Sequence, residues 1–332
     1  GNIMENVKLG RTGLEVTKLS LGGLFMSDLV GDFEKSKIAT QYALDTGVRL
    51  IGTAPSYFNS ETVLGNILKT YEGNNKPLIS TKLGMPDPWN PKSKKDIYAS
   101  VESSMEKLGV DHIDILFIHE PERKLQMDWW DNEKTYDGPV MERLEEMKEK
   151  GMIRYTGVAG TCTHELAKIM DTGKFDCVLT AFNYSLLWRE AEYEIFPVAQ
   201  KHNMGVICGS PLQQGALAVR RDDIIKNGAP WISLPRKQQF KALYQLLDET
   251  GMDIIEMSMR FVISNPAVHC VLTGSRSKEE FISNWNAIEK GPLPADILAK
   301  LDKIRDMVPF RPTNEQFILP WGEEYHGIGW LH

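Results

Sequence analysis

Apolar residues fall along this chain in two alternating rhythms. Short β-branched and aliphatic runs give way to longer stretches whose apolar positions recur every three or four residues, the spacing of one helix face. Ile97, Val101, Met105 and Leu108 form one such stripe, closed by Gly109, and the run from Ile113 to Ile118 follows at once. Val140, Leu144 and Met147 repeat the pattern up to Gly151, ahead of Ile153 to Ala159. Further helices are expected from about Glu190 to Lys201 and from Ile254 to Ile263. With Leu19 to Gly22, Arg49 to Ile51, Leu78 to Thr81, Val178 to Phe182, Met204 to Cys208 and Val268 to Thr273, the chain offers eight strand candidates. Eight alternating units predict a (β/α)8 TIM barrel behind an N-terminal β-hairpin at Leu9–Gly13, rather than an open doubly wound sheet.

Composition adds limits. At 332 residues the chain is long for one domain, yet barrels of this kind reach that length undivided, and no linker, repeat or low-complexity tract interrupts it. We expect one barrel domain over 1–332, with about 309–332 as a tail or loop at the barrel mouth; Gly1, ahead of Met4, is set outside the fold. A formal net charge of -7 and a pI near 5.6 argue against a nucleic-acid surface. Cys162, Cys177, Cys208 and Cys270 are widely spaced, form no CxxC pair and read as reduced; no metal site is expected. No run approaches the roughly 18 apolar residues of a membrane span, so a cytoplasmic enzyme without membrane or nucleic-acid partners is expected.

The candidate chemistry sits at strand ends. Gly47-Val-Arg-Leu-Ile-Gly-Thr-Ala-Pro-Ser-Tyr57 runs from a strand into a turn carrying Tyr57, Lys82 closes the next strand, and His119 the one after. Each residue alone is more often structural: a half-buried phenol, a surface lysine, a core histidine. In a parallel barrel, however, the C-terminal strand ends converge on one face, so three successive strands can bring these groups together. Reducing a carbonyl by hydride transfer requires a proton donor, and a phenol, with its ordinary pKa of about 10, needs help near neutrality. A neighbouring ammonium supplies it by favouring the phenolate, while a histidine can hydrogen-bond the carbonyl oxygen.

Tyr57, Lys82 and His119, with Thr53-Ala-Pro55 before the tyrosine and Glu61-Thr-Val-Leu-Gly65 after it, closely resemble the aldo-keto reductase family of nicotinamide-dependent oxidoreductases. The resemblance runs from Leu9-Gly-Arg-Thr-Gly13 to Gly274-Ser-Arg-Ser-Lys-Glu-Glu280 and Asn284, nearly the whole chain. It implies a small carbonyl or sugar substrate, with Tyr57 as general acid or base. It also implies NAD or NADP lying across the barrel mouth. The matching cofactor positions are Gly22, Gly23, Ser210, Leu212, Gln213 and Gly215, then Gly274, Ser275, Arg276, Glu280 and Asn284 after the last strand. No GxGxxG turn follows any strand, which argues against a Rossmann site. Loops after the seventh and eighth barrel strands and an adjoining helix N-terminus can present free N–H groups to a phosphate. Duller readings stand beside these: Ser277 and Glu280 fit a capping box, and Gly22 and Gly23 are common strand-end glycines.

The resemblance breaks at the centre. Where the family carries the aspartate that pairs with the lysine, this chain has Gly52, which leaves an engineered change, a tolerated natural change and lost catalysis all open. Ala159-Gly160, Ala181 and Gly209 replace polar or aromatic family residues around the nicotinamide, with Trp188 a candidate substitute platform. Gly274 and Glu280 stand where NADP-selective members place basic residues, so NAD is favoured, while Arg276 keeps NADP open. Ile118-His-Glu-Pro-Glu122 resembles the branch with bacterial sugar dehydrogenases, and Trp129-Trp130 and the aromatic tail Trp321 to Trp330 are candidate pocket walls, the tail equally an oligomer contact. The alternative is a non-catalytic dinucleotide or ligand sensor on the same barrel, as in the potassium-channel beta subunits that resemble this family.

Overall fold

A computed structural model of the chain describes residues 4–23, 32–84 and 88–322. β1 (Asn6–Lys8) and β2 (Glu15–Thr17) pair antiparallel as the expected hairpin, with Val7 opposite Val16. Alternation then begins with β3 (Leu19–Gly22), α1 (Phe33–Thr46), β4 (Leu50–Gly52), α2 (Ser60–Thr70), β5 (Leu78–Leu83) and α3 (Lys94–Leu108). It continues through β6 (Ile113–His119), α4 (Pro139–Glu149), β7 (Ile153–Gly160), α5 (Thr163–Met170), β8 (Cys177–Ala181), α6 (Ile195–Lys201) and β9 (Gly205–Gly209). Three helices, α7 (Asp222–Asn227), α8 (Leu234–Thr250) and α9 (Ile254–Ile263), precede β10 (Cys270–Thr273), and α10 (Lys278–Glu289) and α11 (Ala295–Arg305) follow it. Strands β3 to β10 are parallel, and β10 pairs with both β9 and β3, closing the (β/α)8 barrel.

Local chemistry sets the element ends. Ser93 caps α3 by accepting from Asp96 N–H, and Gly109 ends it with φ 67, the left-handed stop that glycine adopts without a Cβ clash. The expected helix Glu190 to Lys201 is broken instead into a 3-10 turn, Glu190–Glu192, and α6. Pro197 explains the break, since a residue lacking its N–H is tolerated only in a helix's first turn. Phe182, expected as the end of a strand, leaves β8 with φ 66. Between β9 and α8 the connection from Ser210 to Ser233 contains α7.

Two apolar groups hold the barrel. Helix stripes such as Ile97, Val101 and Leu108 pack on the outer faces of the strands, whereas Leu50, Ile115, Phe117, Leu179, Ile207 and Cys270 fill the interior with Leu9, Leu14 and Val16 of the hairpin. Those hairpin residues plug the end of the barrel from which the strands start. Gly10 sits there at φ 51, where an added Cβ would lie 2.4 Å from Gly205 N, so only glycine fits. The opposite end remains the mouth.

Past α11 the chain returns along that mouth. Glu315 accepts from Arg236 of α8 at 2.8 Å and 2.9 Å and from Trp188 Nε1 at 3.0 Å, while Arg311 donates to the Phe182 carbonyl at 2.9 Å. Trp321 stacks on Phe240 at 5.0 Å and donates to the Val219 carbonyl at 2.8 Å. The aromatic tail beyond Gly322 lies outside the described residues.

Candidate active site

Strand alternation aims the chemistry. Leu50, Phe117, Leu179 and Ile207 face the interior, so two residues further on Gly52, His119, Ala181 and Gly209 face it at the mouth. Lys82, at the end of β5, is only 4% exposed. Its Nζ donates to the Thr53 carbonyl at 3.1 Å and to the Tyr57 hydroxyl at 3.1 Å, and lies 4.6 Å from the Tyr57 ring centroid. Tyr57 is carried into this position by a short loop in which Tyr57 N–H bonds the Ala54 carbonyl at 3.2 Å, and Ser60 pins the loop by bonding Thr53 Oγ1 and donating to the Gly23 carbonyl.

His119 meets Tyr57 edge-on, with ring centroids 6.2 Å apart at 89°. Burial first, and then the charge of Lys82, push its pKa down to about 3, so the imidazole is neutral in ordinary buffers. Ser56 Oγ stands 3.4 Å from its Nδ1. The three groups from successive strands therefore do come together, and they do so without a carboxylate at position 52. Among the described residues no carboxylate forms an ion pair with Lys82; the buried Glu61 carboxylate, which accepts from Thr81 Oγ1 at 2.8 Å, feels its charge only at longer range. Glu122 is committed to Thr161 N–H and Cys162 N–H, each at 2.8 Å, and Glu120 faces Arg123 at 3.6 Å. The backbone carbonyl of Thr53 serves instead, a partner that residue identity could not signal.

The candidate cofactor positions divide into two groups. Gly22 and Gly274 approach closely: a Cβ at 22 would lie 3.6 Å from Gly274 N. At Gly23 a Cβ would be 2.9 Å from the Gly52 carbonyl oxygen and from Ser60 Oγ, so packing of its own neighbours already demands glycine there. Ser210, Gln213 and Gln214 are left-handed, at φ 51, 53 and 51, and Gly215 has φ 113. Gln213 spends its side-chain amide on the Phe182 carbonyl at 2.9 Å and on Ser185 Oγ at 3.2 Å, and Leu212 is partly buried against the core. On the loop into α10, Ser275 Oγ is buried without a hydrogen-bond partner. Ser277 accepts from Glu280 N–H at 3.2 Å, and Glu280 reaches back to Arg276 N–H at 2.8 Å, while Asn284 is buried on the same helix. An orphan hydroxyl on the loop into a helix start suits a phosphate oxygen, so this loop fits a phosphate of a dinucleotide.

Residues 18–306 match the aldo/keto reductase family. The chain belongs to that family. An aldo-keto reductase of Bacillus subtilis is 26% identical, over 96% of this chain and 98% of its own length. The NADH-specific methylglyoxal reductase of Escherichia coli is 27% identical, over 88% of this chain and 96% of its own. A protein of Arabidopsis thaliana described as a "probable voltage-gated potassium channel subunit beta" is 25% identical, over 94% and 99%. Membership of the aldo/keto reductase family, with relatives named as oxidoreductases, supports an oxidoreductase in the broad sense, in a family that generally uses NAD(P)H.

Several sequence expectations change in place. Trp188 is 2% exposed and sandwiched in the Glu315–Arg236 cluster, so it anchors the strap formed by the segment past α11 and is not a free platform. Trp129 and Trp130 are 0% and 6% exposed, packed on Trp89 and Tyr136, so they are core and not pocket wall. Gly160 has acquired a neighbour that no spacing announced: a Cβ there would lie 2.4 Å from Glu122 Oε1. The Glu122 carboxylate occupies the room that a side chain at 160 would need.

Proposed function

We propose that the protein interconverts a carbonyl and an alcohol by hydride transfer, with Tyr57 as general acid and base, Lys82 as its electrostatic partner and His119 as a neutral hydrogen-bonding group for the carbonyl oxygen. The observation that carries this reading is the 3.1 Å contact of Lys82 Nζ with the Tyr57 hydroxyl, made by a lysine that is itself held by the Thr53 carbonyl. A bound nicotinamide dinucleotide would supply or accept the hydride. In reduction Tyr57 gives its proton to the oxygen that becomes the alcohol, and the ammonium of Lys82 stabilises the negative charge left on the phenol oxygen. In oxidation the same hydroxyl takes the proton back. His119, neutral because it is buried beside Lys82, can donate an N–H to the substrate oxygen without adding a second positive charge to the site.

Gly22, Ser210, Leu212, Gly215, Gly274, Ser275, Arg276, Glu280 and Asn284 are the residues that would hold the dinucleotide. Glu280 favours NAD, since a carboxylate repels a 2′-phosphate and can accept from a free ribose diol. Calorimetric titration with NAD and NADP tests the cofactor assignment: tighter binding of NAD is expected, and absence of binding by either at millimolar concentration would remove it. Tyr57→Phe should reduce turnover of a carbonyl panel by about 10²-fold or more, with cofactor binding retained. Equal turnover by the variant would eliminate Tyr57 as the proton donor.

A further inference from the structure

Phe58 follows Tyr57 directly, and its backbone is left-handed at φ 50. It is the first inner residue of the turn Tyr57 to Ser60, which Ser60 N–H closes on the Tyr57 carbonyl at 2.9 Å, and Asn59 after it has φ −101 and ψ 18. A turn with positive and then negative φ favours glycine at its first inner position, because a bulky side chain there meets its own backbone. Phenylalanine gains no compensating burial, for it is 63% exposed. Strain and an exposed aromatic ring thus coincide at one residue, beside the Tyr57–Lys82 pair. Strained conformations of this kind persist mainly at functional sites.

Small residues end several of the neighbouring strands. Gly22, Gly52, Ala159, Ala181 and Gly209 close the C-terminal ends of β3, β4, β7, β8 and β9 or lie one residue from them, with side chains no larger than a methyl. We propose that Phe58 is a specificity-determining residue, an apolar wall on which the ring of the substrate packs while its carbonyl meets Tyr57. The substrate class is accordingly a ring-bearing carbonyl compound or the corresponding alcohol, with an aryl ring or a sugar ring presenting the flat apolar face. This rests on the oxidoreductase reading above.

The test uses the whole chain, with Phe58→Gly and Phe58→Tyr, assayed on benzaldehyde, D-glucose and methylglyoxal with the matching nicotinamide cofactor. Phe58→Gly should raise KM for benzaldehyde, D-glucose or both by about tenfold or more with kcat little changed, and leave KM for ringless methylglyoxal unaltered. A rise for benzaldehyde alone assigns an aryl ring, and a rise for D-glucose alone a sugar ring. Phe58→Tyr should keep the wild-type values. Tm of Phe58→Gly should be equal or higher, because glycine relieves the turn. A lower Tm, an unchanged KM for both ring substrates, an equal rise for methylglyoxal, or a change of oligomeric state with KM unaltered overturns the proposal. If the wild type turns over none of the three, the oxidoreductase reading fails on its own. Calorimetry with benzoate and acetate then decides Phe58: tenfold weaker benzoate binding in Phe58→Gly supports the wall, and equal binding in both proteins removes it.

Discussion

Lys82 keeps its place in a site from which the family's carboxylate is missing. Thr53 offers a carbonyl oxygen where Gly52 offers no side chain, and a carbonyl can orient an ammonium without neutralising it. Gly52→Asp should therefore raise kcat, by roughly tenfold, through a full counter-charge for Lys82. A Cβ at 52 would lie 2.9 Å from Ser80 Oγ, the end of a rotatable side chain that can turn away, and 3.6 Å from Leu272, an ordinary contact. Steady-state turnover of the wild type, Gly52→Asp and Gly52→Asp with Tyr57→Phe checks it. Unchanged or lower turnover in the single variant would mean the site is built around glycine. His119 should stay silent in the pH dependence: with its pKa near 3, it adds no step to the rate profile between about pH 5 and 9, where an unperturbed histidine would titrate.

At the scale of elements, the exits of the strands carry the unusual conformations. Glu120 after β6, Phe182 after β8 and Ser210 after β9 are left-handed, at φ 50, 66 and 51, so the chain turns sharply as it leaves each strand at the mouth. The exit of β7 is held differently. Glu122 accepts from two N–H groups at the start of α5, Arg123 donates to Thr161 Oγ1 at 2.6 Å, and Asn183 Nδ2 donates to the Thr161 carbonyl at 2.8 Å. Gly160 is the space into which the Glu122 carboxylate fits. Gly160→Asn should destabilise the protein by about 1–3 kcal/mol through overpacking, and Glu122→Ala in the same chain should recover part of that loss. Urea denaturation of the two single variants and the double variant measures the coupling. Additive losses would show that the two residues do not compete for the same space.

At the scale of the whole molecule, the strap past α11 is tied down by a buried ion pair. Arg236 and Glu315 have side chains only 1% and 6% exposed, and they are joined at 2.8 Å with Trp188 and Gln239 completing their hydrogen bonds. Removing one partner strands the other charge out of water. Glu315→Ala should cost about 3–5 kcal/mol or release the strap from α8, whereas Arg236→Met with Glu315→Leu should recover most of the stability. Denaturation midpoints, with limited proteolysis at 306–322, distinguish these outcomes. A loss below 1 kcal/mol would mean the pair is not needed to hold the strap.

The strand and helix rhythm was legible in the sequence because burial on a barrel imposes periods of two and of 3.6 on apolar positions, and these survive as patterns within single segments. Eight alternating units sufficed to predict the closed barrel, and barrel geometry sufficed to bring Tyr57, Lys82 and His119 from three strand ends to one place. Within a segment, glycine at a helix stop and proline in a first turn also act locally, and Pro197 sits in the first turn of α6, where the stretch from Glu190 to Lys201 divides. Tertiary structure alone decided the rest. Thr53 partners Lys82 through its backbone, Glu122 fills the room beside Gly160, and Trp188 is enclosed by Arg236 and Glu315 from distant segments. The physical reason is common to all three. Each contact joins residues through space that no local period connects, and each depends on the shape of a cavity or the aim of a polar atom, which exists only once the barrel has closed.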